Sequence, residues 1–196
     1  MSGSFKLFYI YLYIKQKGNE MTQSVAVKAT SSLIIVDRTN KIFNPNEFFG
    51  SWTIWRGPKN GDGLTGKEEQ DERSIALNEV DFLSAKVRFT SCLKPGETSI
   101  DGEVRLERHA NSRHILLDAE FGQWLLQEER SRKLELLFKL RGISCFELPG
   151  TVLRKVSDGK RYLFGVLRID GHWFPFYLRT DSVRNNRILS VEMLVP

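Results

Sequence analysis

Few residues in this chain can do chemistry, and they are scattered. The thiols are Cys92 and Cys145, and the imidazoles are His109, His114 and His172. Neither cysteine has a second Cys or a His at metal-ligand spacing, so no metal site is expected. His109 and His114 flank the turn from Ala110 to Arg113 and could face each other across a hairpin, but no third ligand is evident. Two surface histidines are the plainer reading. Cys145, within Gly142-Ile143-Ser144-Cys145-Phe146, has no His at a spacing that implies a thiolate–imidazole pair and reads as a core cysteine. Gly57 to Gly66 has four glycines in ten positions but lacks the Lys-Ser/Thr and the following helix of a phosphate-cradling loop. On these grounds no catalytic residue and no cofactor is expected, and a non-enzymatic protein is favoured.

Aromatic and cationic residues carry more information. Arg108 and Arg168 fall in phase, or nearly so, with the apolar residues around them. An inward arginine must be paired or must meet an anion, because an unpaired buried charge is costly. If a bulge breaks the phase, both arginines point to water instead. A cavity lined by Trp, Tyr and Phe with such an arginine would suit an amphipathic ligand bearing a carboxylate. The candidate ligand-binding residues are Trp55, Arg56, Trp124, Arg168, Trp173 and Tyr177, and the expected partner is an apolar, anionic small molecule. The formal charge of +5 allows a rival. Lys155, Lys160, Arg161, Arg184 and Arg187 cluster near the C-terminal turns, where a basic outer face could bind nucleic acid. A non-catalytic assembly protein with a protein partner is the third expectation.

The elements that must position these residues read as strands. Arg161 to Asp181 holds two aromatic, branched runs around Asp170-Gly171, a strong hairpin signal. Val152 to Val156 joins the same block through Ser157-Asp158-Gly159. Period-two alternation recurs over 85–94, 103–109, 115–121, 133–141 and 189–195, with Leu137 the exception in its segment. Gln123 to Lys133 reads as strand followed by charged turn, with a short helix as the alternative. Turn signals about every ten residues predict an all-β fold, an antiparallel up-and-down β-barrel with at most one short helix.

Gly-x-Trp occurs at Gly50-Ser51-Trp52, Gly122-Gln123-Trp124 and Gly171-His172-Trp173. The first copy, preceded by Asn46, Glu47, Phe48 and Phe49, resembles the opening strand motif of lipocalins and other calycins. The spacing Gly50, Trp52, Arg56 also resembles the start of the S-type phycobiliprotein lyases, calycins that handle open-chain tetrapyrroles. The resemblance implies a calycin-like barrel, a bilin-like ligand, and Trp52 as structural closure under a late-strand cation, Arg179 or Arg187. A chromophore-lyase-like activity is the one enzymatic reading it implies.

With 41% hydrophobic and 27% charged residues the chain reads as one globular domain rather than a disordered segment. Two cysteines make no disulfide framework, so a cytoplasmic location is the default. Leu7 to Ile14 is too short to span a bilayer as a helix, and no small-x-small cleavage site follows it. The expected organisation is a dispensable extension over residues 1–20, an N-terminal arm over 21–46 and the barrel over 47–196.

Overall fold

The longest strands are β7 (Cys145–Lys155), β8 (Arg161–Ile169) and β9 (His172–Arg179), an antiparallel meander built on the predicted turns. Ile169 pairs with His172, so the loop between them is Asp170-Gly171 alone. Both residues have positive φ, +49° and +85°, the backbone a two-residue hairpin needs to match strand twist. This computed structural model describes residues 33–36, 38, 43–46, 50–127 and 131–195. The expected extension over 1–20 lies outside them, as does most of the expected arm. Within that arm, β1 (Leu33–Ile35) pairs with β3 (Glu79–Asp81).

The other edge of β7 serves two partners. Phe146 and Glu147 run parallel to β11 (Leu189–Met193), and Leu153 to Lys155 run antiparallel to β2 (Trp52–Ile54). Between them Pro149-Gly150 forms an irregularity in the β7–β8 ladder. A β-carbon on Gly150 would lie 2.1 Å from the Leu116 carbonyl oxygen, so only glycine lets that backbone cross there. β11 is flanked further by β4 (Val87–Thr90) and by β6 (Ile115–Leu116). Two short strands, β5 (Ser99–Asp101) and β10 (Val183–Asn185), pair apart from this sheet.

The path β4-β11-β7-β8-β9 is mostly antiparallel and open. The expected closed up-and-down barrel is therefore corrected: the β11–β7 pair is parallel, and the sheet is not closed into a barrel. Three segments expected as strands are helices. They are α2 (Gly102–Ala110), α3 (Ala119–Leu125) and α4 (Ser131–Arg141), after the short α1 (Glu72–Ile75). Asp101 caps α2 by accepting from the Glu103 N–H at 2.8 Å, and Asp118 caps α3 by accepting from the Glu120 N–H at 3.0 Å. In α4 the buried Leu134 and Leu137 share a stripe with Phe138 and Arg141, while Leu140 is 67% exposed. Leu137, the misfit in the alternating pattern, marked the helical period.

The helices cover both faces of the sheet. Phe146, Leu148, Phe164 and Val166 point to one face and join Phe121, Leu125, Leu134 and Leu137 in the main core. Gly122 lets α3 lie close: a β-carbon there would sit 2.3 Å from the Phe164 ring. On the opposite face Glu147 meets α2. Its carboxylate binds Arg105 Nη1 at 3.2 Å and Arg184 Nε and Nη2 at 3.1 and 3.0 Å, all three residues being almost wholly buried. Arg184 also donates to the Arg179 carbonyl at 2.6 Å and packs under Gly102, where no β-carbon would fit. Arg184 is thus an internal strut between β7, β10 and the start of α2, not part of a basic outer face.

Candidate functional site

The same face of β8 carries Arg161 and Leu163, two residues apart and therefore on one side of the pleat. Leu163 packs with Trp55, Val152 and Leu106 in a small second cluster, and Arg161 lies at its rim. Trp55 follows β2 and is 2% exposed. Its indole N–H donates to the Pro58 carbonyl at 3.2 Å, and its backbone N–H donates to the Val152 carbonyl at 2.9 Å. The glycine-rich loop from residue 57 to 66 folds back over the ring. At Gly63, with φ +73°, an added β-carbon would meet the indole at 2.4 Å. Arg56 N–H bonds the Gly63 carbonyl at 3.1 Å and Gly57 N–H bonds the Lys67 carbonyl at 2.9 Å, which fixes the loop's two ends.

These pieces enclose a cleft of about 430 Å³, lined in part by Trp55, Lys59, Glu103, Lys160, Arg161 and Asp181. Arg161 is its buried centre. The guanidinium carbon stands 5.2 Å from the centroid of the Trp55 ring, Nη2 donates to Glu69 at 2.7 Å, and Nε lies 3.1 Å from a Glu103 oxygen. Its side chain is 8% exposed, and buried Nη1 has no hydrogen-bond partner. A buried guanidinium N–H without an acceptor is costly, and guanidinium geometry favours an anion there. Burial raises the Glu69 carboxyl against the opposing pull of Arg161. Lys59, on the loop, pairs with Glu107 of α2 at 2.6 Å and closes the rim.

The sequence-predicted ligand residues do not converge. Trp55 lines the cleft. Arg56 is exposed, pairs with Glu68 at 2.7 Å, and borders a second cavity of about 330 Å³ with Trp52 and Leu64. Arg168 and Trp173 face each other across β8 and β9 and both donate to Glu135 of α4, at 2.9 and 2.8 Å. Arg168 also lies over the Phe138 ring at 4.2 Å. Trp124 packs against the main core, and Tyr177 stacks on Trp52 with centroids 4.5 Å apart. The cation over Trp52 is Lys155, at 5.9 Å, while Arg179 pairs with Asp181 at the surface and Arg187 is exposed. Arg108, the other inward candidate, pairs with Glu97 at 2.6 Å.

The sequence places Arg161 on a basic outer face and gives Glu69, Lys59 and Glu103 no role; tertiary packing brings β8, the start of α2, the 57–66 loop and the segment after it together. His109 is not a surface histidine. It is 2% exposed, and its Nε2 lies 3.2 Å from Cys92 Sγ. Among the described residues no His, Cys, Asp or Glu group of three could hold a metal ion, and no helix is long and apolar enough to cross a membrane. The chain matches no family model, no curated protein and no solved structure, so its functional reading rests on this geometry.

Proposed function

We propose that the protein binds a small anionic ligand with an apolar or aromatic portion in the Trp55–Arg161 cleft. The observation that carries this reading is Arg161, a residue of the cleft lining whose buried Nη1 lacks an acceptor. A carboxylate or phosphate oxygen would complete the guanidinium's hydrogen bonds, and the edge of Trp55 would take the apolar portion. Lys59 and Lys160 at the rim add positive charge that draws an anion in, while Glu103 and Asp181 limit the net charge the cleft accepts. A cleft of this volume falls in the range of small-molecule sites.

Native mass spectrometry and an absorbance scan of protein purified from its own host test the proposal. A co-purifying organic acid or phosphate ester, retained at high ionic strength, supports it. Visible absorbance would identify that acid as bilin-like. Nucleic acid that leaves steeply with salt, with no small molecule bound, would move the function to the outer surface.

A further inference from the structure

Cys92 lies just beyond β4 in a conformation that side chains rarely adopt, with φ +57°. The loop holds it there. Cys92 N–H bonds the Thr90 hydroxyl at 3.1 Å, Leu93 N–H bonds the Ser91 hydroxyl at 3.4 Å, and Arg108 Nη1 donates to the Cys92 carbonyl at 2.7 Å. Backbone strain held by several neighbours is a feature of reactive positions.

The side chain faces an ordered pair. His109 Nε2 is 3.2 Å from Sγ, and His109 Nδ1 is 3.2 Å from Glu192 Oε2. A carboxylate at Nδ1 fixes the tautomer that leaves Nε2 to exchange a proton with sulfur. Glu192 is itself buried on β11, and its other oxygen accepts from Arg88 of β4. Nucleophile, base and orienting carboxylate thus stand in sequence, each within bonding reach of the next.

The charges around the sulfur agree. From α2 it meets His109 and Arg105, with Arg108 on its carbonyl. From β11 and β4, Glu192 and Arg88 stand behind the imidazole. Burial pushes the Cys92 thiol up, but the hydrogen bond and charge of His109, with the charge of Arg105, outweigh it and hold the thiol below its ordinary range. Burial pushes His109 down, and Cys92 and Glu192 more than reverse this. Cys145 is the contrast: burial drives it up to about 12, where it is inert. Cys92 is only half-buried.

We propose that Cys92, His109 and Glu192 form a nucleophilic thiol centre for acyl transfer, separate from the Trp55–Arg161 cleft. The Cys92 thiolate attacks the carbonyl carbon of an activated ester, the bond to the leaving oxygen breaks, and the His109 imidazolium gives that oxygen its proton. The acyl group is then a thioester on Sγ. Water attacks it, its proton passes to His109 Nε2, and the thiolate leaves. Ester and water become acid and alcohol with no change of oxidation state.

The test uses the full chain with p-nitrophenyl acetate as the probe. A burst of p-nitrophenol and one acetyl group on Cys92 by peptide mass analysis are expected, both absent in Cys92→Ser and retained in Cys145→Ser. His109→Gln should slow the burst by about 10²-fold or more, the scale of a lost general acid–base. The pH profile of Cys92 alkylation by iodoacetamide keeps the proposal open to refutation if variants misfold. Wild-type protein should show a midpoint well below about 8.5, moving up in Glu192→Gln. An ordinary thiol midpoint, or no acetyl group on Cys92, would overturn the proposal.

Discussion

Glu147 and Arg184 form a fully buried ion pair, with Arg184 Nε and Nη2 at 3.1 and 3.0 Å from one carboxylate oxygen. The pair ties the start of β7 to β10, and Arg105 brings α2 to the same carboxylate. Helix α2 then carries Glu103 to the Trp55 cleft and His109 to Cys92. Glu147→Gln leaves two buried guanidinium groups against a neutral amide. A loss of about 3–5 kcal/mol is expected, measured as a lower urea midpoint. A change below 1 kcal/mol would mean that α2 is held by its apolar contacts instead.

The two aspartate caps should differ in cost. Asp101 caps α2 by its side chain alone, so Asp101→Ala should cost about 1 kcal/mol. Asp118 caps α3, pairs with Arg38 at 2.8 Å and accepts from the Ser74 hydroxyl. Asp118→Ala should therefore cost at least about twice as much. Equal losses in thermal unfolding would show that the Arg38 and Ser74 contacts add nothing.

Acid should expose the Glu97–Arg108 pair. Hydrogen bonds from Arg108, then from the Lys94 backbone, hold the Glu97 carboxyl at about 2. A carboxyl lowered in the folded state stabilises above its unfolded value of about 4.3, and that contribution fades as pH falls through about 2. The wild-type advantage over Glu97→Gln should thus be constant at neutral pH, shrink below about pH 4 and be lost only as the pH falls below about 2. An advantage at pH 2 as large as at neutral pH would contradict the pairing.

Gly63 should tolerate no side chain. Gly63→Ala places a β-carbon in the Trp55 indole at a positive φ. The 57–66 loop would have to leave the ring, lowering both thermal stability and ligand affinity. Unchanged amide and indole resonances in the variant would show that the loop does not rest on Trp55.

The central hairpin was readable because Asp170-Gly171 encodes its own backbone. The helices were not, because charged residues occupy inward positions. In α2 the buried Arg105 and His109 lie among residues whose alternation favoured Val104, which is 41% exposed. Ser190 and Glu192 are as buried as Val191, since β11 is covered on both faces. The capping aspartates were the local helix signals available. The sites themselves are contacts between distant segments: Arg161 and Glu69 are separated by 92 positions, and His109 and Glu192 by 83. No local pattern encodes such pairs, and the cleft that Arg161 lines is completed by a loop a hundred residues earlier.

The most direct test of the cleft is a titration of wild-type protein and Arg161→Lys with benzoate and with inorganic phosphate, followed by NMR at the Trp55 indole N–H and Arg161 Nε–H. Wild-type protein should show saturable shifts at both groups for at least one anion. Arg161→Lys, which keeps the charge but loses the planar donor set, should bind at least about tenfold more weakly, the cost of one charge-assisted hydrogen bond. No saturable shift with either anion, or equal affinity in the lysine variant, would contradict the claim that Arg161 Nη1 receives an anionic ligand.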